Sequence, residues 1–337
     1  MKVLHVTEQG AILTKKGNRL VLYKQREKIA TVRIRQLEQV VLWGAIRLSP
    51  GAIRLFLENG IDVVFLSSRG RYYGRLVGMA SKNAPLRQAQ WERRHDPVFR
   101  IAIARRLLSA KLYNCRTFLR HLNRRRQRRE IQEALQQIRR IMNQLEQASD
   151  TATLMGYEGE AASAYFRAVG ACLDHPYFRF TKRTRRPPRD ATNALLSFTY
   201  MMILSLVQRW AEIVGFDPYI GYLHDVGYNK PSLCLDLMEP FRPVLGDAFV
   251  IDCIQRGRIK PDDFDESGVG DDRRFRLTSD GLKKFVAMWE FRRENAVIDP
   301  ATGHSVTWTG IVERQVRAMA RAVREGQPDH FEPYRWM

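Results

Sequence analysis

The hydrophobic pattern alternates in the first quarter of the chain, which indicates short β-strands from residue 1 to about residue 76. Ala11-Ile12-Leu13 and Leu20-Val21-Leu22-Tyr23 flank Lys16-Gly17-Asn18, the pattern of two strands joined by a tight turn. One helix interrupts the strands, with Ser49 as N-cap, Pro50 at its first position and Asn59-Gly60 at its end. Two sheets folded on each other would bury the alternating faces. The other predicted strands are residues 29–34, 39–42, 46–48, 61–66 and 72–76.

Past residue 80 the apolar residues recur at helical spacing, and strand signals become sparse. Ser, Asn and Pro replace the alternating pattern in residues 79–85, where we place the domain boundary. The sequence therefore predicts an α+β fold, with a β-sandwich-like domain in residues 1–82 followed by a larger all-helical domain in residues 83–337. The helices predicted in detail are residues 158–172, 192–214, 242–254, 280–291 and 310–325.

Charge narrows the class of partner. The 337 residues include 56 Lys and Arg against 36 Asp and Glu, a formal net charge of +20. With 45% apolar residues the chain is not a disordered basic tail. The excess charge favours a polyanion, with nucleic acid ahead of an anionic membrane surface.

Compartment is indicated by the cysteines and by the apolar stretches. The cysteines are widely spaced and lack a C-x-x-C pair, so we expect reduced core thiols rather than disulfides or structural zinc. The N-terminus has no signal-peptide pattern, and the longest apolar stretch, residues 194–207, is shorter than the ~20 residues of a membrane span. We expect a soluble protein in the cytosol, with no membrane partner.

Four residues in three segments could carry chemistry. Glu158 follows Leu154-Met155-Gly156-Tyr157, and its simplest role is to complement the positive end of a helix dipole. His224 ends a loop built on Asp217-Pro218, where a lone histidine is more often a packed core residue than a ligand. Asp236 and Glu239 stand three residues apart, so in a helix both carboxylates would share one face.

Two carboxylates that close repel unless a cation or a proton lies between them, as in a divalent-metal site. Alternatively, Arg242 or another arginine pairs with one of the acids. Several carboxylates with one imidazole suit Mn²⁺ or Mg²⁺ better than structural zinc. Such a metal could polarise a phosphodiester and activate a hydroxyl nucleophile.

Four ordered motifs resemble those of the CRISPR-associated adaptation integrases, the first-numbered Cas protein family. The resemblance covers nearly the whole chain. The motifs are Gly156-x-Glu158-Gly159-x-Ala161-Ala162-x-x-Tyr165-Phe166, Arg185-Arg186-Pro187-Pro188 with Asp190 and Asn193, Asp217-Pro218-x-x-Gly221-x-Leu223-His224, and Asp236-Leu237-x-Glu239-Pro240-Phe241-Arg242.

The resemblance implies a metal-dependent DNA endonuclease and integrase. It would insert spacer DNA into a CRISPR array by attack of a 3′-hydroxyl on a phosphodiester. Its N-terminal domain would form a homodimer, and the small second-numbered Cas protein and double-stranded or branched DNA would be its partners in a prokaryotic cytoplasm. Glu158, His224 and Glu239 match the ligands of Mn²⁺ or Mg²⁺, and Asp236 matches a nearby catalytic acid whose role is direct or supporting.

Two other readings of the whole chain stay open. One is a metal-dependent nuclease of branched DNA without integration, and the other is a non-catalytic nucleic-acid-binding scaffold. A covalent nucleophile role for Tyr165 is less favoured than a place in the core or against DNA, because Tyr165 stands at helical spacing beside Phe166 and Val169.

Basic residues between Glu158 and His224 are predicted to hold DNA phosphates, because the planar fork of arginine suits phosphate. The run at residues 124–129 is more typical of a solvated helix face. The predicted DNA-binding residues are Arg183, Arg185, Arg186, Arg189 and Arg242.

Overall fold

The computed structural model describes residues 3–68, 72–76, 78, 83–124, 127–184, 187–268 and 274–336. They form two compact units. The first is Met1–Ala80 with Arg276–Phe291, and the second is Ser81–Phe275 with Arg292–Met337. The boundary proposed after residue 82 stays a prediction, and the sequence analysis did not group residues 276–291 with the β-rich unit.

Two four-stranded sheets build the first unit. One has the order β1-β5-β7-β8, with β8 antiparallel to β7 and the other pairs parallel. The other has the order β4-β3-β2-β6, in which only β2 and β6 are parallel. The elements are β1 (Val3–Val6), β2 (Ile12–Lys16), β3 (Arg19–Lys24), β4 (Glu27–Arg33), β5 (Gln39–Trp43), β6 (Arg47–Leu48), α1 (Pro50–Glu58), β7 (Asp62–Leu66) and β8 (Tyr72–Leu76).

Local signals in this unit act as predicted. Gly17 has a φ of +60° in the two-residue turn between β2 and β3, a conformation that glycine adopts without strain. The Ser49 side chain accepts a hydrogen bond from the Ala52 N–H and caps α1. One apolar cluster joins both sheets and α1, as Leu13, Val40 and Phe56 show. The alternating pattern therefore does bury two sheets against each other.

Residues 276–291 are held to the first unit by polar contacts that no local pattern encodes. Lys283 Nζ lies 2.6 Å from Glu8 Oε1. His5 Nε2 lies 3.0 Å from Glu290 Oε1, while Trp43 Nε1 donates to His5 Nδ1 at 3.1 Å. The Lys283–Glu8 and His5–Glu290 contacts join residues more than 270 positions apart in the chain, so hydrophobic periodicity could not predict them.

The second unit is mostly helical, and the predicted α+β class is confirmed. It also carries short two-stranded sheets that the pattern did not predict, β11 with β12 and part of β10 with β9. In chain order the elements after residue 83 are α2 (Ala84–His95), α3 (Pro97–Asn123), α4 (Arg129–Gln144), α5 (Thr151–Ala171), α6 (Ala191–Val214), α7 (Ser232–Met238), a π-helical turn (Arg242–Asp247), α8 (Ala248–Gln255), β9 (Phe264–Ser267), β10 (Arg274–Leu277), α9 (Ser279–Glu294), β11 (Ala296–Ile298), β12 (Ser305–Thr307) and α10 (Trp308–Glu325). Up to Phe291, α9 belongs to the first unit.

Helix α6 runs through the middle of this unit and packs against α7, α8 and α10. Among the described residues it is the one helix whose length and composition would allow it to cross a membrane. In its most apolar window 61% of the residues are buried inside the protein, which is typical of a core helix. The four cysteines are buried and free, as predicted.

Candidate metal centre

Glu158 lies two turns inside α5 rather than at its start. Asp150 caps the helix, and its carboxylate accepts a hydrogen bond from the Thr153 N–H at 2.7 Å. The predicted helix began at residue 158, so the suggestion that Glu158 complements the helix dipole is wrong, because that effect fades within the first turn. The Glu158 side chain is 17% exposed and contacts Lys111 of α3 instead.

Asp236 orients His224. The Asp236 side chain is fully buried on α7, and its Oδ2 accepts hydrogen bonds from the N–H groups of Tyr222 and Leu223 at 2.5 and 2.9 Å. Oδ1 accepts from the His224 N–H at 2.9 Å and lies 2.7 Å from His224 Nδ1. Because a carboxylate can only accept, this contact favours the tautomer with the proton on Nδ1, in which Nε2 keeps a lone pair for a metal.

Gly221 permits this arrangement. A Cβ at residue 221 would lie 2.7 Å from Asp236 Oδ2 and 2.7 Å from the Ser232 carbonyl carbon. Any side chain here would push the loop away from α7 and lengthen the hydrogen bonds that hold His224. The glycine of the Asp217-Pro218-x-x-Gly221 motif therefore has a packing reason, since only glycine allows so close an approach.

Glu239 follows the last residue of α7 and has other partners than Asp236. Its Oε1 accepts a hydrogen bond from Arg242 Nε at 2.9 Å, which is the pairing that the sequence analysis left open. Its Oε2 forms an ion pair with Lys111 Nζ at 2.6 Å. Apart from this ion pair, the buried Oε2 has no hydrogen-bond partner among the described residues.

Charge on Glu239 is fixed by its neighbours. Burial alone would raise the pKa of this carboxyl, but Arg242, Lys111 and then His224 outweigh burial and lower its pKa to about 2. Glu239 is thus ionised throughout the neutral range. Burial lowers the pKa of Lys111, yet Glu239 and Glu158 outweigh it and raise that pKa overall, so the ammonium stays charged.

The donor set fits a divalent metal in chemistry. Glu158 and Glu239, from different helices, both contact the single Lys111 ammonium, at 2.5 and 2.6 Å. Among the described residues Glu239 Oε2 has no partner other than Lys111, and His224 has an oriented imidazole. Within the described ranges, however, no three acidic, histidine or cysteine side chains converge closely enough to hold an ion as they stand. Lys111 lies where the two carboxylates meet.

A further buried acid, Asp247, lines the same small cavity as Lys111 and Glu158. Asp247 accepts hydrogen bonds from Tyr165 Oη at 2.8 Å and Tyr200 Oη at 2.5 Å. Burial raises the pKa of Asp247 to about 6, although the two tyrosines lower it in part. Burial likewise raises the pKa of Tyr165 well above its usual value, so this phenol is protonated and bound. Tyr165 is a core residue, and this geometry does not suit a nucleophile.

Two of the predicted DNA-binding arginines are committed to contacts inside the second unit. Arg183 donates to Asn193 Oδ1 at 2.7 Å and to Ser197 Oγ at 3.1 Å, and its guanidinium lies 5.2 Å from the Tyr200 ring centre. Arg242 is partly buried against Glu239 and lies 4.6 Å from the same ring centre. These contacts position the loop before α6 and the end of α7.

The other three arginines predicted to bind DNA are Arg185, Arg186 and Arg189. Arg189 is exposed just before α6, and its backbone N–H donates to Thr184 Oγ1. Arg185 and Arg186 lie outside the described residues. All five assignments to DNA stay predictions.

Sequence reasoning missed Lys111 and Asp247. Lys111 lies within an apolar stretch of α3 and has no acid near it in the sequence. The one signal that could have revealed it is a lysine at a position where the apolar pattern predicts a core residue. Asp247 lies in the π-helical turn that starts at Arg242, where Pro243 provides no N–H to the preceding turn. The wider turn placed Asp247 against two tyrosines, a result that an α-helical spacing does not predict.

The sequence of this chain matches one family of known proteins. The family CRISPR associated protein Cas1 matches residues 4–291. A "CRISPR-associated endonuclease Cas1 3" of Thermus thermophilus is 34% identical over 98% of this chain and 96% of its own length. A Cas4/Cas1 fusion of Geobacter sulfurreducens is 35% identical over 94% of this chain, which spans 57% of the fusion. The chain belongs to the Cas1 family.

Solved structures agree on the fold. A Cas6-RT-Cas1–Cas2 complex contains a chain with a TM-score of 0.86 and 25% identity, covering all of this chain and 36% of that one. A casposase bound to an integration product has a TM-score of 0.83 at 24% identity, covering 97% and 91% of the two chains. A CAS1 protein from Thermotoga maritima has a TM-score of 0.80 at 23% identity, covering 96% and 97%.

Proposed function

We propose that this protein is a divalent-metal-dependent DNA endonuclease and integrase of CRISPR adaptation, which joins spacer DNA to a repeat by transesterification. The observation that carries the proposal is the meeting of the partly buried Glu158 and the buried Glu239 at one cationic position. His224, oriented by Asp236, lies close enough to act on the charge of Glu239. The names of the relatives, endonucleases among them, support the same chemistry.

Glu158, Glu239 and His224 Nε2 would hold Mn²⁺ or Mg²⁺. Bound there, the ion would supply Lewis-acid stabilisation of the charge that develops on a phosphodiester and would lower the pKa of an attacking 3′-hydroxyl. Asp236 keeps the His224 proton on Nδ1, so the imidazole acts as a neutral ligand. Arg242 holds Oε1 of Glu239, and Oε2, which faces the Lys111 ammonium, would be the oxygen that meets the ion.

The proposed partners follow from charge and from the relatives. A formal charge of +20 suits a DNA duplex or a branched DNA, and binding should weaken steeply with salt. Assembly with the small second-numbered Cas protein is supported by the Cas1–Cas2 complexes among the similar structures. A homodimer through the β-rich unit and action in a prokaryotic cytoplasm complete the proposal.

The test is a strand-transfer assay with the purified second-numbered Cas protein and a short duplex with free 3′-hydroxyls. A supercoiled plasmid with a repeat serves as the target. We expect covalent joining with Mn²⁺ or Mg²⁺ and none with chelator, because the two carboxylates need the ion to stabilise the displacement. A duplex with 3′-dideoxy ends is the control and should not be joined.

The alternatives predict other products. Cleavage of branched DNA with no joined product would favour the nuclease without integration. DNA binding with neither reaction in any metal would favour the non-catalytic scaffold and contradict the proposal.

A further inference from the structure

A lysine ammonium lies at the centre of the candidate metal site. Lys111 projects from the middle of α3, is 10% exposed, and contacts Glu158 Oε1 at 2.5 Å and Glu239 Oε2 at 2.6 Å. A buried charge is stable only when it is paired. Together, Glu158, Glu239, Lys111 and Arg242 carry two negative and two positive charges, so the cluster is neutral without any ion.

This position conflicts with that of a divalent ion on the same carboxylates. Mg²⁺ lies about 2.0–2.1 Å from its oxygen ligands. An ammonium that kept its contacts with Glu158 Oε1 and Glu239 Oε2 would then lie against the ion, with two cations in direct repulsion in a buried site. The two carboxylates can therefore hold the ammonium or the divalent ion between them, and not both.

The structure offers the lysine a place to withdraw. A cavity of about 30 Å³, roughly the volume of one water molecule in the liquid, lies beside Lys111 and Glu158. Asp247 and Tyr200 also line it. The flexible four-carbon stem of lysine can move the ammonium toward these polar groups without a change in α3.

We propose that Lys111 is a built-in counter-ion of the metal site, which holds Glu158 and Glu239 together before the ion arrives and is displaced when the ion binds. Lys111 is thus a positioning residue that sets the affinity for metal. The proposal rests on the metal-dependent function proposed above and adds the competition between an internal cation and the ion. A purely structural lysine would affect stability and leave metal affinity unchanged.

The test is calorimetric titration of Mn²⁺ into the full-length wild type, Lys111→Met and Arg120→Met. Methionine has a similar length and no charge, so Lys111→Met should bind Mn²⁺ at least tenfold more tightly. Arg120 is exposed further along α3, so Arg120→Met removes the same charge away from the site and should stay within twofold of wild type. An unchanged or weaker affinity in Lys111→Met overturns the proposal.

Thermal unfolding gives a second readout. Without its counter-ion the Lys111→Met site holds two facing carboxylates, so its melting temperature with chelator should fall, and Mn²⁺ should raise it more than in wild type. If Lys111→Met folds only with Mn²⁺, the proposal is supported. If it does not fold at all, Lys111→Gln replaces it in both measurements, with the same outcomes.

The two proposals fail separately. Wild-type binding of Mn²⁺ that Glu239→Gln abolishes and Lys111→Met leaves unchanged would keep the metal site and reject the counter-ion. No binding of Mn²⁺ by wild type or by Lys111→Met would reject both the metal site and the counter-ion.

Discussion

Glu158→Gln and Glu239→Gln are each expected to lower the rate of strand transfer by about 1000-fold or more. Glutamine keeps the shape of the side chain and removes the charge that would hold the ion. A bound metal stabilises the transition state by several kcal/mol, and each 1.36 kcal/mol corresponds to a tenfold change in rate. The measurement is the single-turnover rate of joining with saturating DNA and Mn²⁺. The affinity for DNA should not fall, because each substitution leaves every lysine and arginine that could bind phosphate in place.

A matched control stands two residues away. Glu160 lies on the same helix, α5, is exposed and pairs with Arg140 at 2.7 Å. Glu160→Gln removes the same charge and should keep a rate within about threefold of wild type, since a surface ion pair is worth ~1 kcal/mol or less. If Glu158→Gln and Glu239→Gln joined DNA as fast as Glu160→Gln, the assignment of both residues would be withdrawn.

Asp236→Ala is expected to lower the melting temperature by about 10 °C as well as to abolish strand transfer. The change leaves the N–H groups of Tyr222, Leu223 and His224 without their common acceptor in a buried site. Each buried unsatisfied group costs about 1–3 kcal/mol, and about 1 kcal/mol shifts the melting temperature of a unit this large by about 2–4 °C. Circular dichroism with heating measures the shift.

His224→Gln separates the two roles. It removes the imidazole and leaves the Asp236 carboxylate with its three backbone donors, so activity should be lost while the melting temperature falls by only about 2–4 °C. Equal melting temperatures for Asp236→Ala and wild type would show that Asp236 does not hold the loop. In that case Asp236 would be better assigned as a direct ligand.

The elements were predictable where local signals are strong. The tight turn at Gly17, the Ser49 cap and the long apolar α6 follow from nearby residues. The start of α5 was missed because Asp150, an N-cap, stands eight residues before Glu158, and no apolar stripe marks the first two turns. Helix boundaries depend on such single caps, and the apolar pattern does not show them.

The sequence could name candidate residues for a site, and it could not predict the contacts that those residues make. Asp236 and Glu239 stand three apart, yet one holds a backbone loop and the other contacts Lys111 and Arg242. Spacing gives the face of a helix and does not decide which partner each acid meets. The motifs could not predict the role of Lys111, because only the packing of α3 against its neighbours brings this residue to Glu158 and Glu239.

The most direct test of the metal site is pulsed electron paramagnetic resonance of Mn²⁺ bound to the full-length protein. The account predicts one bound Mn²⁺ per chain with modulation from a single imidazole nitrogen, which disappears in His224→Gln, because Nε2 of His224 is the one nitrogen ligand proposed. Bound Mn²⁺ without nitrogen modulation, or with the same modulation in His224→Gln, would contradict it.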